Sequence, residues 1–119
     1  MSDTIAAIAT PAAPAGLGVI RLSGEGALAV AARVFRPADP ARTADRLAGY
    51  TAAYGHVYDA EGDIDECVLL VFRAPRSYTG ENVAELSCHG GLYLLRRVLR
   101  ACLTAGGPVG PPGEFSRRG

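Results

Sequence analysis

The sequence predicts an α+β fold, with a mixed, largely antiparallel sheet and two main helices. Short segments rich in β-branched and aromatic residues are separated by turn residues, which is typical of strands. Two longer stretches place apolar residues at helical spacing. The strands group into a hairpin and a pre-helix pair rather than alternating one by one with helices, which argues against a doubly wound parallel sheet. Strands are predicted at residues 4–9, 19–23, 50–58, 64–72 and 83–88, and helices at 27–35 and 92–105.

The predicted strand at 19–23 is apolar apart from Arg21. Successive side chains of a strand point to opposite faces, so Ile20 and Leu22 share one face and Arg21 lies on the other. The predicted strand at 83–88 is interrupted in the same way by Glu85. These two residues are therefore the charges most out of place in apolar strands.

The segments 50–58 and 64–72 are predicted to form a long antiparallel hairpin around a turn at 59–63. Its first strand places Tyr50, Tyr54, His56 and Tyr58 on one face, predicted to be covered by the fold or by a subunit interface. Residues 68–72 are almost continuously apolar, which predicts burial on both faces.

The helix at 27–35 is predicted to end before Pro37, and residues 36–49 are predicted to form a connecting loop. The break at His89-Gly90-Gly91 is predicted to precede the second helix. Its apolar stripe comprises Leu94, Leu95, Val98, Leu99 and Cys102, and its wet side comprises Arg96, Arg97 and Arg100.

Length and charge limit the function classes. The chain has 119 residues, enough for one domain, and a formal net charge of +0. A nucleic-acid-binding domain is usually basic, so direct nucleic-acid binding by this segment alone is not predicted. No apolar run approaches the roughly 20 residues that span a bilayer, and the start lacks a basic leader, so a cytoplasmic protein is expected.

The cysteines and His89 suggest neither a metal site nor a nucleophile. Cys67, Cys88 and Cys102 are odd in number and include no CxxC pair, so they are predicted to be buried, reduced and free. Zinc needs paired ligand spacing, which is absent. His89 is interpreted as ordering the turn into the second helix.

Phosphate-binding motifs are also absent. The chain contains neither GxGxxG nor GxxxxGK[ST], so no GTPase site of its own and no catalytic residue are predicted. Gly90-Gly91 at a helix start is a weak candidate for binding an anion.

Arg21 and Glu85 each allow more than one interpretation. Glu85 pairs with Arg21, accepts hydrogen bonds from a ligand with an amidine-like edge, or simply faces solvent. Arg21 offers a rigid donor fork to a carboxylate or carbonyl of a ligand, or forms a salt bridge on the strand face. The residues alone leave these alternatives open.

Four blocks of this sequence resemble the N-terminal domain of the MnmE (TrmE) family of tRNA modification GTPases. They follow the order of the family and cover the chain from end to end. The blocks are residues 3–11 (DTIAAIATP), 16–24 (GLGVIRLSG), 77–86 (SYTGENVAEL) with 89–91 (HGG), and 112–118 (PGEFSRR).

The resemblance implies a domain at residues 1–119 that is similar in fold to the folate-binding part of the glycine-cleavage aminomethyltransferase. In the family this domain forms a homodimer and binds 5-formyltetrahydrofolate. The matching folate contacts here are Glu85, for the amino-pyrimidine edge of the pterin, and Arg21, for a carbonyl or carboxylate; a further basic contact of the family lies beyond residue 118.

The resemblance also implies the context of the whole protein. With its partner MnmG, the family modifies carbon 5 of the wobble uridine in tRNA. GTP, Mg2+ and K+ belong to a separate G domain, and tRNA is engaged by the full complex. Two alternatives are a purely structural dimerisation domain and a stand-alone aminomethyltransferase; the latter needs a catalytic acid and a larger chain.

Overall fold

The computed structural model describes residues 4–8, 18–74 and 81–106, which form an α+β fold as predicted. The sequence places β-branched and aromatic residues in the strands and helix-forming Ala, Leu and Arg in the two longer helical stretches. The elements are β1 (Ile5–Ile8), β2 (Gly18–Ser23), α1 (Ala27–Val34), β3 (Phe35–Pro37), β4 (Thr51–Asp59), β5 (Gly62–Phe72), β6 (Val83–Cys88) and α2 (Gly91–Ala105).

The described strands form one sheet in the order β1-β2-β6-β5-β4-β3, and each neighbouring pair is antiparallel. The hairpin of β4 and β5 is confirmed. β6 lies between β5 and β2, so a strand from late in the chain pairs with one from its beginning. This long-range pairing is what places the second and sixth strands, with their single charges, side by side.

Both helices cover the same face of the sheet and form the core with it. Ile20, Leu86 and Leu69 are aligned across three neighbouring strands and are fully buried. α1 and α2 bury apolar side chains against this face, as their helical spacing predicts. The buried helix residues are Ala27, Leu28, Val30, Ala31 and Val34 of α1, and Leu95, Val98 and Cys102 of α2.

The strand β5 is buried on one face only, so the prediction of burial on both faces is wrong. Leu69 and Val71 are 0% exposed, whereas Val68 is 40% exposed and Leu70 is half-buried. An apolar run alone does not reveal how many layers cover a sheet. Here the two helices cover a single layer, and alternate residues of β5 face away from them.

The short strand β3 was predicted as the end of a helix and a loop. Phe35 is buried and pairs with Val57, and Pro37 pairs with Gly55 at the edge of the sheet. An edge strand tolerates proline, since its outer side needs no backbone donor. Gly55 is required at this close approach, because a Cβ there would collide with the Phe35 ring and the Arg36 carbonyl.

The turn between β4 and β5 is shorter than predicted, because β5 already begins at Gly62. Gly62 has a φ of 124°, a conformation that favours glycine. The register of the hairpin shifts between Val57 and Tyr58. Beyond this shift, Tyr58 is one of the residues that line a cavity near the helices, and the Arg36 guanidinium lies over its ring.

The amino end of α2 is closed by a carboxylate from β5. Oδ2 of Asp65 accepts hydrogen bonds from the backbone N–H groups of His89 and Gly90, at 2.8 and 2.7 Å. The first turn of α2 contains no acidic residue of its own. Of the two residues suggested as an anion site, Gly90 therefore has its amide bonded to an internal anion, which complements the positive end of the helix dipole.

Residues 1–3, 9–17, 75–80 and 107–119 lie outside the described residues. The family block at 112–118 is therefore outside them in full, and the other three blocks are outside them in part. Across the ranges 4–8, 18–74 and 81–106, no helix is long and apolar enough to cross a membrane.

Candidate functional site

The two charges singled out by the sequence lie directly opposite each other. In the β2–β6 pairing Arg21 is the register partner of Glu85, and its Nε donates to Oε2 of Glu85 at 2.9 Å. Of the alternatives that the sequence left open for Glu85, the structure shows the pairing with Arg21. Residues 64 positions apart in the chain become neighbours because β6 lies beside β2.

The pair lies on the sheet face turned away from the helices, which we call the outer face. The Glu85 side chain is 15% exposed and that of Arg21 is 39% exposed. Removing a carboxylate from water without a partner is costly, and the guanidinium offsets this cost by a charge-assisted hydrogen bond. The carboxylate is thus held in a fixed place and still reaches the surface.

The row through this pair continues across the sheet. Leu70 is the β5 register partner of Glu85, and Ala7 is the β1 register partner of Arg21. In the next row Val68 lies beside Ser87, which in turn pairs with Val19. The charges therefore sit among small and apolar side chains, a surface on which a flat ring can lie against the sheet.

Next to the pair is an exposed apolar surface, the outer sheet patch, formed by Ala52, Tyr54, Val68 and Leu70. Ala52 is paired with Leu70, and Tyr54 with Val68. Tyr54 is 49% exposed, so its face is not covered by the fold of the single chain. Of the two predicted kinds of cover, the fold is excluded for this residue, and an interface stays a prediction.

A polar contact anchors the edge of this patch. The Tyr54 hydroxyl donates to Oε1 of Glu66 at 3.1 Å. This hydrogen bond to the carboxylate raises the pKa of Tyr54, with desolvation and the charge of Glu66 acting in the same direction. Tyr54 is therefore a neutral donor with a fixed orientation.

The three cysteines are buried and free, as predicted. Cys67 and Cys88 are register partners on β5 and β6. The thiol hydrogen bond between them, together with burial, raises the pKa of Cys67 far above its usual range. Burial, with a smaller effect of Cys88, raises the pKa of Cys102 to about 12. Thiols held neutral in this way pack as small apolar groups.

His89 contributes its backbone N–H to the capping of α2, and its side chain is exposed. In the described ranges no group of three or more His, Cys, Asp or Glu side chains could hold a metal ion. The assignment of His89 to the turn before α2 matches this geometry.

A second feature was missed by the sequence reasoning. A cavity of about 380 Å3 lies on the helix side, between the carboxyl ends of α1 and α2 and the β4–β5 turn. Beside it, Arg97 donates from Nε and Nη2 to the two oxygens of Asp59, at 2.7 and 2.8 Å. The hydrogen bonds from Arg97 lower the pKa of Asp59 to about 2 and raise the pKa of Arg97. Asp59 lies next to a turn and Arg97 on the solvent-facing side of a helix, and neither local sequence indicates that the two side chains will pair.

Comparison with known proteins decides the family. A family model described as "GTP-binding protein TrmE N-terminus" matches residues 4–119, nearly the whole chain. The chain belongs to the TrmE N-terminal family.

Relatives of this TrmE N-terminal chain carry the description "tRNA modification GTPase MnmE". The protein of Chlorobaculum tepidum is 49% identical over 114 residues, which are 96% of this chain and 24% of that protein. The protein of Chloroflexus aurantiacus is 48% identical over 119 residues, which are 99% of this chain and 25% of that protein. The protein of Symbiobacterium thermophilum is 51% identical over 117 residues, which are 98% of this chain and 25% of that protein. The chain therefore spans about a quarter of the length of these relatives, and it matches the TrmE N-terminal part of them.

Proposed function

We propose that this chain is the tetrahydrofolate-binding and homodimerising module, residues 1–119, of a cytoplasmic tRNA modification GTPase. The observation that carries the proposal is the Arg21–Glu85 pair on the outer face, at the two positions where the family contacts folate. In the whole protein, together with MnmG, the folate serves modification of carbon 5 of the wobble uridine. GTP, Mg2+ and K+ would act in another domain.

Glu85 has the chemistry needed for a pterin edge. The amino-pyrimidine ring of 5-formyltetrahydrofolate presents an N–H and an NH2 side by side, and a carboxylate accepts both. A carboxylate has about four lone-pair sites, so Glu85 keeps its bond to Arg21 while accepting two more. Arg21 holds the carboxylate in position and offers donors to a carbonyl or carboxylate of the ligand.

The outer sheet patch supports the dimerisation role. Tyr54 and Val68 expose apolar surface on the same face as Glu85, and Leu70 of the patch is the register partner of Glu85. Apolar surface of this kind, rimmed by polar groups, is typical of protein interfaces. A second copy docked here would bring its own chain to the edge of the folate site.

The folate role is tested by calorimetric titration of 5-formyltetrahydrofolate into the wild type and Glu85→Gln. The substitution keeps size and removes the negative charge, so binding should be lost. Glu25→Gln is the matched control, because Glu25 is an exposed carboxylate in the turn between β2 and α1 and lies outside the sheet. Loss of binding in both variants, or in neither, would contradict the proposed role of Glu85.

A structural dimerisation domain without folate is the second candidate. It is favoured by the salt bridge itself, since Arg21 and Glu85 already neutralise each other in this structure. Sedimentation would then show a dimer whose mass and stability do not change with 5-formyltetrahydrofolate. A folate-dependent rise in melting temperature would exclude this candidate.

A further inference from the structure

The cavity of about 380 Å3 on the helix side, here called the helix cleft, is not used by the folate or dimer proposals. Its walls are mainly apolar, and the charged residues Arg33, Asp59, Glu61 and Arg100 are also among those that line it. Its volume falls within the range of small-molecule pockets, roughly 300–1,000 Å3. The residues that matter for its chemistry are Arg33, Tyr58, Glu61, Arg100, Ala101 and Thr104.

We propose that the helix cleft and the adjoining face of α2 bind single-stranded RNA, with one nucleotide in the cleft. The inference rests on the proposed role in tRNA modification, which supplies the class of RNA. It adds a binding site on the side of the domain opposite to Arg21 and Glu85.

The arginines on this side form a basic surface. Arg96 and Arg100 lie on the exposed side of α2, one turn apart, where side chains are about 5–6 Å apart at Cβ. Among the residues that the structure describes, neither guanidinium has a hydrogen-bonded or ionic partner. Arg33 of α1 joins Arg100 at the cleft. Guanidinium groups match the geometry of phosphate oxygens and suit an RNA backbone.

The acidic groups nearby do not cancel this charge. Asp59 is held by Arg97, so that pair is neutral. Glu61 is the other carboxylate at the cleft, and its charge acts on Arg97, so it offsets only part of the charge of Arg33, Arg96 and Arg100. The carbonyl end of α2, which would repel an anion, is covered by Arg33, whose Nη1 donates to the Ala105 carbonyl at 2.6 Å. The zero net charge of the whole sequence conceals this local excess of arginine.

An exposed aromatic residue extends the surface. Tyr93 is 79% exposed and lies one turn before Arg96 and Arg97 on the same side of α2. An isolated tyrosine with this exposure gains little from the protein itself. Stacking of a base on such a ring is worth about 1–3 kcal/mol and does not depend on sequence. A surface that combines arginines with an exposed aromatic ring is typical of proteins that bind single-stranded nucleic acid.

The test is fluorescence anisotropy with a labelled tRNA anticodon stem-loop that carries a wobble uridine. We expect R96E/R100E to weaken binding by at least about tenfold and to reduce the slope of log K against log salt by about 1.4. Tyr93→Ala should weaken binding, and Tyr93→Phe should not. If the charge-reversed variant R96E/R100E fails to fold, R96A/R100A, which only removes the two charges, replaces it in the same measurement.

R42E/R46E is the control with the same change in charge. Both of its arginines are exposed, and they lie in the loop before β4, at the far end of the hairpin from Asp59. Its RNA affinity should change much less than that of R96E/R100E. Equal loss in the two variants would mean that only net charge matters, and it would overturn the proposal.

Three other results would also overturn the proposal. They are no RNA binding by the wild type, equal binding of a fully paired RNA duplex, and equal binding of vesicles with anionic lipids. Titration of 5-formyltetrahydrofolate into R96E/R100E should match the wild type. If folate fails to bind while RNA binds as expected, the folate role falls and the helix cleft assignment stands.

Discussion

Asp59 and Arg97 form a two-pronged ion pair that ties the end of the β4–β5 hairpin to the middle of α2, with N–O distances of 2.7 and 2.8 Å. The backbone N–H of Glu61 also donates to Oδ1 of Asp59. The same carboxylate therefore shapes the turn and fixes the turn against the helix. Both side chains are about one-fifth exposed, so solvent screens the pair only in part.

The first prediction concerns pH. The pKa of Asp59 is lowered to about 2 from an ordinary value of 3.8, because Arg97 favours the charged form. A lowered pKa stabilises the fold above about pH 4, and this contribution is lost as the pH falls towards 2. Urea midpoints measured between pH 5 and 2 should fall more steeply for the wild type than for Asp59→Asn. Asp39→Asn, in an exposed loop, should follow the wild type, and a parallel fall in all three would contradict the assignment.

The second prediction concerns Asp65. Replacing it by Ala removes the acceptor of the His89 and Gly90 amides at the start of α2. Loss of a helix cap costs about 0.5–2 kcal/mol, so the free energy of unfolding should fall by that amount in urea titrations. Asp65→Asn keeps an acceptor and should cost less. Glu61→Ala removes a carboxylate whose side chain caps no helix, and it should be close to neutral; equal losses for Asp65→Ala and Glu61→Ala would exclude the capping role.

Local pattern was sufficient for most elements and for the two unusual charges. Glu85 and Arg21 stand out because each is the single charge in an otherwise apolar strand. Side chains alternate along a strand, so both charges could be assigned to the face opposite the buried residues, which is the outer face. The bounds of β6, Val83–Cys88, follow from the largely apolar segment between Asn82 and His89. The opposite charges of Arg21 and Glu85 suggested that they pair, but only the order of the strands in the sheet brings the two residues together.

The remaining features depend on tertiary contacts. The strand at Phe35 forms because its ring fits over Gly55 at the sheet edge, which no propensity of the segment indicates. The exposure of Val68 depends on how many layers cover the sheet. A valine occurs both in a core and at an interface, so its residue type does not tell which face of the strand is covered. The helix cleft arises where two helix ends meet a turn, so its lining residues share no sequence motif.

The third prediction compares the two faces of β5. Leu69→Ala removes a fully buried side chain beneath the helices and should lower the free energy of unfolding by about 2–5 kcal/mol. Leu70→Ala changes a half-buried side chain of the same volume on the outer face and should cost less. Denaturation at a low protein concentration, with no association, checks the difference. Similar costs would mean that the outer face is also packed within the single chain.

The fourth prediction concerns the outer sheet patch. Val68→Asp places a charge at the centre of this patch, beside Tyr54, and should convert a dimer to a monomer in sedimentation velocity. The monomer should stay folded, because Val68 points away from the core. Ala48→Asp adds the same charge in an exposed loop before β4 and should leave the dimer intact. If Val68→Asp sediments as the wild type does, any dimer uses another surface, and the proposed folate site at Glu85 does not border it.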